Sequence, residues 1–94
     1  MAHNARTADE IQEWICVYIA NIMGTSPQSL QVEMEFPNLG VDSSSAAALI
    51  GDLEDWLGFE LDPTLPYDFP NTIKLSTELA RLSAGAAAPT GVPA

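Results

Sequence analysis

The sequence predicts an all-α fold, a small four-helix bundle with three main helices and one short third helix. Three observations carry that prediction. Three stretches repeat their apolar residues at helical spacing, each of them opens on a capping residue, and no pair of segments matches as partnered strands. At 94 residues with 47% hydrophobic content, the chain is one domain with material for a single modest core.

The first helix begins at Thr7, because Thr7 and Glu10 have the spacing of a capping box in which each side chain satisfies the other's orphan amide. From Ile11 the apolar residues recur at Ile15, Tyr18 and Ile22, with Trp14 and Ile19 flanking, and the stripe stops near Gly24. Cys16 falls off its centre and reads as a peripheral, inert thiol. Between Thr25 and Val41 the period changes to two: Leu30, Val32, Met34 and Phe36 alternate with Gln31, Glu33 and Glu35. Taken alone this is a strand pattern, but it has no partner segment. It is therefore read as a long ordered loop that lays alternate side chains on the helices, anchored by Phe36 and Leu39.

The second helix runs from about Ser43 to Leu57. At 100° per residue, Ala46, Leu49, Ile50, Leu53 and Leu57 share one apolar sector, and Ser44, Ala48, Gly51, Asp52 and Asp55 lie opposite. Gly51 either admits a close backbone approach or is merely tolerated, at a cost of roughly 1 kcal/mol against alanine. Gly58 is the stop. Pro63, Pro66 and Pro70 leave room only for a short helical turn around Leu65–Asp68. Asn71 then caps a last helix with Leu75, Leu79 and Leu82 as its core stripe and Lys74 and Arg81 on the wet side near Glu78. Residues 7–83 are thus the folded domain, 1–6 a flexible lead-in, and 84–94 a flexible Ala/Pro/Gly linker suited to a domain tethered to something larger.

Three Lys and Arg face 13 Asp and Glu, for a formal charge of -10, and no basic residue stands between Arg6 and Lys74. Such a field repels nucleic acid and anionic membrane and favours a basic protein partner. One cysteine excludes an intrachain disulfide, and the absence of a signal peptide or bilayer-length apolar run makes the cytoplasm the expected location. The only histidine, His3, sits in the lead-in, so no Ser/His or Cys/His nucleophile can be assembled. No phosphate loop, metal-spaced set or calcium loop is present, so neither catalytic residues nor a metal site are expected.

The stretch around Asp42 offers different chemistry. Asp42 is a helix-starting residue, which puts Ser43 at the first helical position with its hydroxyl outward, where unpaired amides and the macrodipole favour a phosphate. Read alone, Ser43, Ser44 and Ser45 are a polar helix start. The run Leu39-Gly40-Val41-Asp42-Ser43, however, resembles the attachment motif of acyl carrier proteins and polyketide synthase carrier domains, and the likeness in element order extends from roughly Ile11 to Leu82.

That resemblance implies a carrier rather than an enzyme. A phosphopantetheinyl transferase would join 4'-phosphopantetheine from coenzyme A to Ser43, next to Asp42, and the arm's thiol would hold acyl or polyketide intermediates as thioesters. It implies docking by Ser44, Asp52, Asp55 and Trp56 to basic surfaces of an acyltransferase, ketosynthase or acyl-adenylating ligase. The chain would be a monomer or a domain of a larger synthase. Ser44 departs from the large apolar residue usual in that family after the modified serine, and Trp56 also reads as edge-of-core packing. The alternatives are a peptidyl carrier of a nonribosomal peptide pathway and an unmodified acidic helical interaction domain.

Overall fold

The computed structural model describes residues 6–87; His3, the rest of the lead-in before Arg6 and the stretch beyond Ala87 lie outside the described residues. The elements are α1 (Ala8–Met23), a 3-10 turn (Pro27–Ser29), α2 (Phe36–Leu39), α3 (Ser43–Leu57), α4 (Leu65–Asp68) and α5 (Thr72–Ala87). The three long helices and the short α4 stand where the periodicity and the prolines put them. The single turn α2 is an addition that the alternating pattern of its surroundings concealed.

Each long helix starts on its predicted cap. The Thr7 hydroxyl accepts from the Glu10 N–H at 3.1 Å while the Glu10 carboxylate accepts from the Thr7 N–H at 3.0 Å. Asn71 Oδ1 accepts from the Lys74 N–H at 2.8 Å. α1 and α3 end at Gly24 and Gly58, both left-handed. The connection after α3 is fixed by the Glu54 carboxylate, which accepts from the Leu61 N–H at 2.8 Å.

The core joins Ile11, Ile15 and Ile19 of α1 to Leu49, Leu53 and Leu57 of α3 and Leu75 and Leu79 of α5, with Phe36, Val41, Leu61 and Leu65 closing it. Each such side chain stabilises the fold by about 1.5–3 kcal/mol. On α3 the buried set is Ala46, Leu49, Ile50, Leu53 and Leu57, the sector read from the sequence. On α1 the stripe is rotated from the expected one: the four-residue steps Ile11, Ile15, Ile19 face inward, Tyr18 is half-buried and Ile22 is 45% exposed. Cys16 is therefore buried, not peripheral, because the Pro27–Ser29 turn closes against that side of α1. Burial, and secondarily the Glu13 carboxylate, push its thiol up, which keeps it protonated and inert.

The loop between α1 and α3 lays Leu30, Val32 and Met34 half-buried and Phe36 fully buried on the helices, with Gln31, Glu33 and Glu35 in solvent. It also finds a short pairing partner. Glu35 bridges Asn71 in antiparallel fashion, the Phe36 N–H donates to the Pro70 carbonyl at 2.8 Å, and the Asn71 side-chain amide donates to the Glu33 carbonyl at 3.2 Å. A proline cannot donate, which hid this segment as a strand, but its carbonyl still accepts.

Two expected boundaries shift. α5 continues through Ala84 and Gly85 to Ala87, into the predicted linker, since alanine is the strongest helix former. Arg6, expected in the flexible lead-in, is held: its N–H donates at 3.0 Å to the hydroxyl of Ser83, a fully buried residue on α5.

Candidate functional site

The chain reaches the head of α3 through a constrained turn. Gly40 ends α2 with φ 94°, which asks for a glycine; a Cβ built on it would also lie 2.7 Å from the methyl of Met23, a flexible, exposed side chain that would have to move aside. The Val41 N–H donates to the Phe36 carbonyl at 2.9 Å, and both side chains are buried. With Val41 pinned inward, Asp42, Ser43 and Ser44 emerge into solvent.

Asp42 is the N-cap of α3: its Oδ1 accepts from the Ser45 N–H at 2.8 Å. That backbone donor, with a further hydrogen bond from the Ser45 side chain, holds the Asp42 carboxyl below the usual aspartate range. Ser43 is the first residue of a 15-residue helix and is exposed. Beside it opens a cleft of about 320 Å³, with Phe36, Val41, Ala46, Pro66 and Tyr67 among its walls and Asp42, Ser43 and Glu35 at polar positions. Of the two exposed serines at this helix start, Ser43 is the one that lines the apolar recess, with its hydroxyl near helix-terminal amides that suit a phosphate.

The other predicted site residues occupy the far part of the same helix. Asp52 and Asp55 are exposed, and Trp56, about 20 Å along the axis from Ser43 at about 1.5 Å per residue, is half-buried. Asp52 does not stand free. It accepts from the Tyr18 hydroxyl, whose own pKa is pushed up to about 12, first by burial and then by this acceptor. Trp14 stacks on Tyr18 and on Trp56, both with ring centroids 5.3 Å apart, and the Arg6 guanidinium lies over the Trp56 ring at 4.6 Å from its centroid.

The family described as "Phosphopantetheine attachment site" matches residues 13–79, which run from within α1 to the first half of α5 and take in the whole of α3. This chain belongs to that family of carrier domains. It is 35% identical over 52 residues to the acyl carrier protein TtuC of Teredinibacter turnerae, covering 55% of this chain and 60% of TtuC. It is 34% identical over 65 residues to the mycoketide-CoA synthase of Mycobacterium tuberculosis, covering 68% of this chain and 2% of the synthase. The chain thus spans less than two thirds of the length of these curated relatives. A free-standing peptidyl carrier protein of Acinetobacter baumannii superposes with TM-score 0.76 at 30% identity, over 81% of this chain and 95% of that one.

A carrier domain of this family bears covalently attached 4'-phosphopantetheine, and the domain itself is not the catalyst. The residues of this chain fit such a group, since an accessible hydroxyl and donor-rich first turn meet the demands of a phosphodiester on a protein. Among the described residues no helix is long and apolar enough to cross a membrane, and no cluster of His, Cys, Asp or Glu is placed to hold a metal.

Sequence reasoning missed the Met23 seat on Gly40 and the Arg6–Trp56–Trp14–Tyr18 column. The four-residue spacings of Trp14 with Tyr18 and of Asp52 with Trp56 were the available signal, since each pair lies on one helix face.

Proposed function

We propose that this carrier domain bears its arm on Ser43 and works as an acyl carrier, taking acyl or polyketide intermediates from one partner enzyme and presenting them to the next. The observation that carries the assignment is the exposed Ser43 hydroxyl on the first residue of α3, directly after the N-cap Asp42 and at the rim of the apolar cleft. When bound, the arm supplies the terminal thiol on which cargo is held as a thioester.

In the attachment step a phosphopantetheinyl transferase brings coenzyme A to Ser43. A P–O bond forms to Ser43 Oγ, the pyrophosphate P–O bond of coenzyme A breaks, the adenosine bisphosphate half leaves, and the hydroxyl proton passes to a base of the transferase. Ser44 and Ser45 are set back from this role: Ser45 is half-buried with its N–H committed to Asp42, and Ser44 follows the first helical position. The need for coenzyme A supports a cytoplasmic location for this activity.

Asp52 and Asp55 are the proposed docking charges for basic faces of an acyltransferase, ketosynthase or acyl-adenylating ligase, in keeping with the net charge of -10. A small serine at Ser44 shifts that docking away from an apolar anchor beside the arm. A second reading, peptidyl carriage, is favoured by the likeness to the Acinetobacter protein. Loading with an acyl-adenylating ligase in parallel with an aminoacyl-adenylating enzyme separates the two.

The attachment is tested by co-expression with a broad-specificity transferase and intact-mass measurement. The native chain and Ser44→Ala gain one phosphopantetheine, and Ser43→Ala gains none. Modification of the Ser43→Ala chain would refute the assignment.

A further inference from the structure

The ring face of Trp56 that Arg6 covers has the makings of a binding surface, and the contacts of Arg6 show what it accepts. Among the described residues, the Arg6 guanidinium has no carboxylate at ion-pair distance; it rests on the indole at 4.6 Å from the ring centroid. Its backbone is anchored separately, by the Arg6 N–H on the buried Ser83 hydroxyl. The side chain can therefore leave the ring without breaking a salt bridge and without detaching the segment from the bundle. A planar guanidinium suits such a face better than an ammonium, because it stacks as well as carrying charge.

The surroundings add direction. Trp56 is backed by Trp14, which stacks on it at 15° and in turn on Tyr18 at 18°, so the indole is held at a fixed tilt. Asp52 lies one turn before Trp56 on the same face of α3, steadied by the Tyr18 hydroxyl, and Asp55 is exposed next to it in sequence. A rigid aromatic plate beside carboxylates, on a chain with 13 acidic and 3 basic residues, attracts cations from outside.

We propose that the outer face of Trp56 is a shelf for an arginine side chain of a basic partner protein, and that Arg6 is its resident occupant, which such a partner displaces. This deepens the reading that the carrier docks basic partners, but it does not depend on Ser43 or its arm. The shelf belongs to the far part of α3, so a partner arginine there would fix the distance and angle at which the head of α3 meets an active site.

The test uses the unmodified full chain and two blocked tripeptides, Ac-Arg-Gly-Arg-NH2 and Ac-Lys-Gly-Lys-NH2, with the indole N–H signals of Trp14 and Trp56 followed by NMR. The Arg peptide should move the Trp56 signal, and Arg6→Ala should bind it roughly two- to fivefold more tightly than the native chain, the range expected for removing one exposed cation–π competitor. Trp56→Leu in the Arg6→Ala background should lose the preference for the Arg peptide over the Lys peptide, read from α3 backbone amides. Equal affinities of the native and Arg6→Ala chains would overturn the proposal, even if Trp56→Leu failed to fold. So would equal shifts from both peptides with the Trp56 signal stationary, which would mean plain attraction to the α3 carboxylates. Either failure leaves the mass-based assignment of Ser43 unaffected.

Discussion

A single side chain settles how the head of α3 is presented. Asp42 holds the Ser45 N–H at 2.8 Å, and this donor keeps its carboxyl below the ordinary value of 3.8. A carboxyl depressed in the folded state contributes stability that is present above the unfolded value and is lost as pH falls through the lower folded value. Asparagine caps a helix about as well and does not titrate there. Melting curves of the native chain and Asp42→Asn should therefore run close together at neutral pH, and the native chain should lose more below pH 3.8. Parallel acid slopes would remove the ionised cap from the account. The same residue shows why the position of Ser43 at the start of α3 was legible from sequence, while its proposed role came from the family resemblance: an N-cap and the helical position after it are local features, decided within a few residues.

Helices and the loop between them follow two separate rules. Within α3, Gly51 is exposed and a Cβ there would meet nothing within 4 Å, so of the two readings left open by the sequence the chain itself supports tolerance. Gly51→Ala should stabilise the domain by about 0.5–1 kcal/mol in denaturant unfolding, and a loss of stability would reveal a contact that this geometry lacks. Gly40 is the opposite case. Gly40→Ala meets a positive φ of 94° and the Met23 methyl together, and should cost about 1–3 kcal/mol. Pairing it with Met23→Ala should recover only the steric share, leaving the backbone share in place. Full recovery would mean that the left-handed turn is unimportant. The period-two loop illustrates what local reading lacks, since Val32, Met34 and Phe36 signalled which side faces the helices but not that Pro70 would pair with Phe36 and Asn71 with Glu35 and Glu33.

At the scale of the molecule, charge governs encounters while the core holds the frame. The formal charge of -10 and the exposed Asp52 and Asp55 predict that acyl transfer from a basic partner is fastest at low salt. Reversing both charges with lysine should slow that transfer by roughly tenfold at low salt and flatten its salt dependence. Asp55→Lys alone, which spares the Tyr18–Asp52 hydrogen bond, should show part of the effect, and unchanged kinetics in both variants would end the docking role of this face. The sequence by itself determined the three long helices and the short α4, their caps at Thr7, Asp42 and Asn71, the stops at Gly24 and Gly58, the buried sector of α3 and the serine at its head, because periodicity and capping act over a turn or two of chain. Only the tertiary structure decided that α1 turns Ile19 inward and Ile22 outward, that Cys16 is covered, that Pro70 accepts a backbone hydrogen bond, and that Arg6 lies on Trp56. Those outcomes depend on which distant segment arrives beside a given face, and a spacing pattern within one helix holds no record of its neighbours.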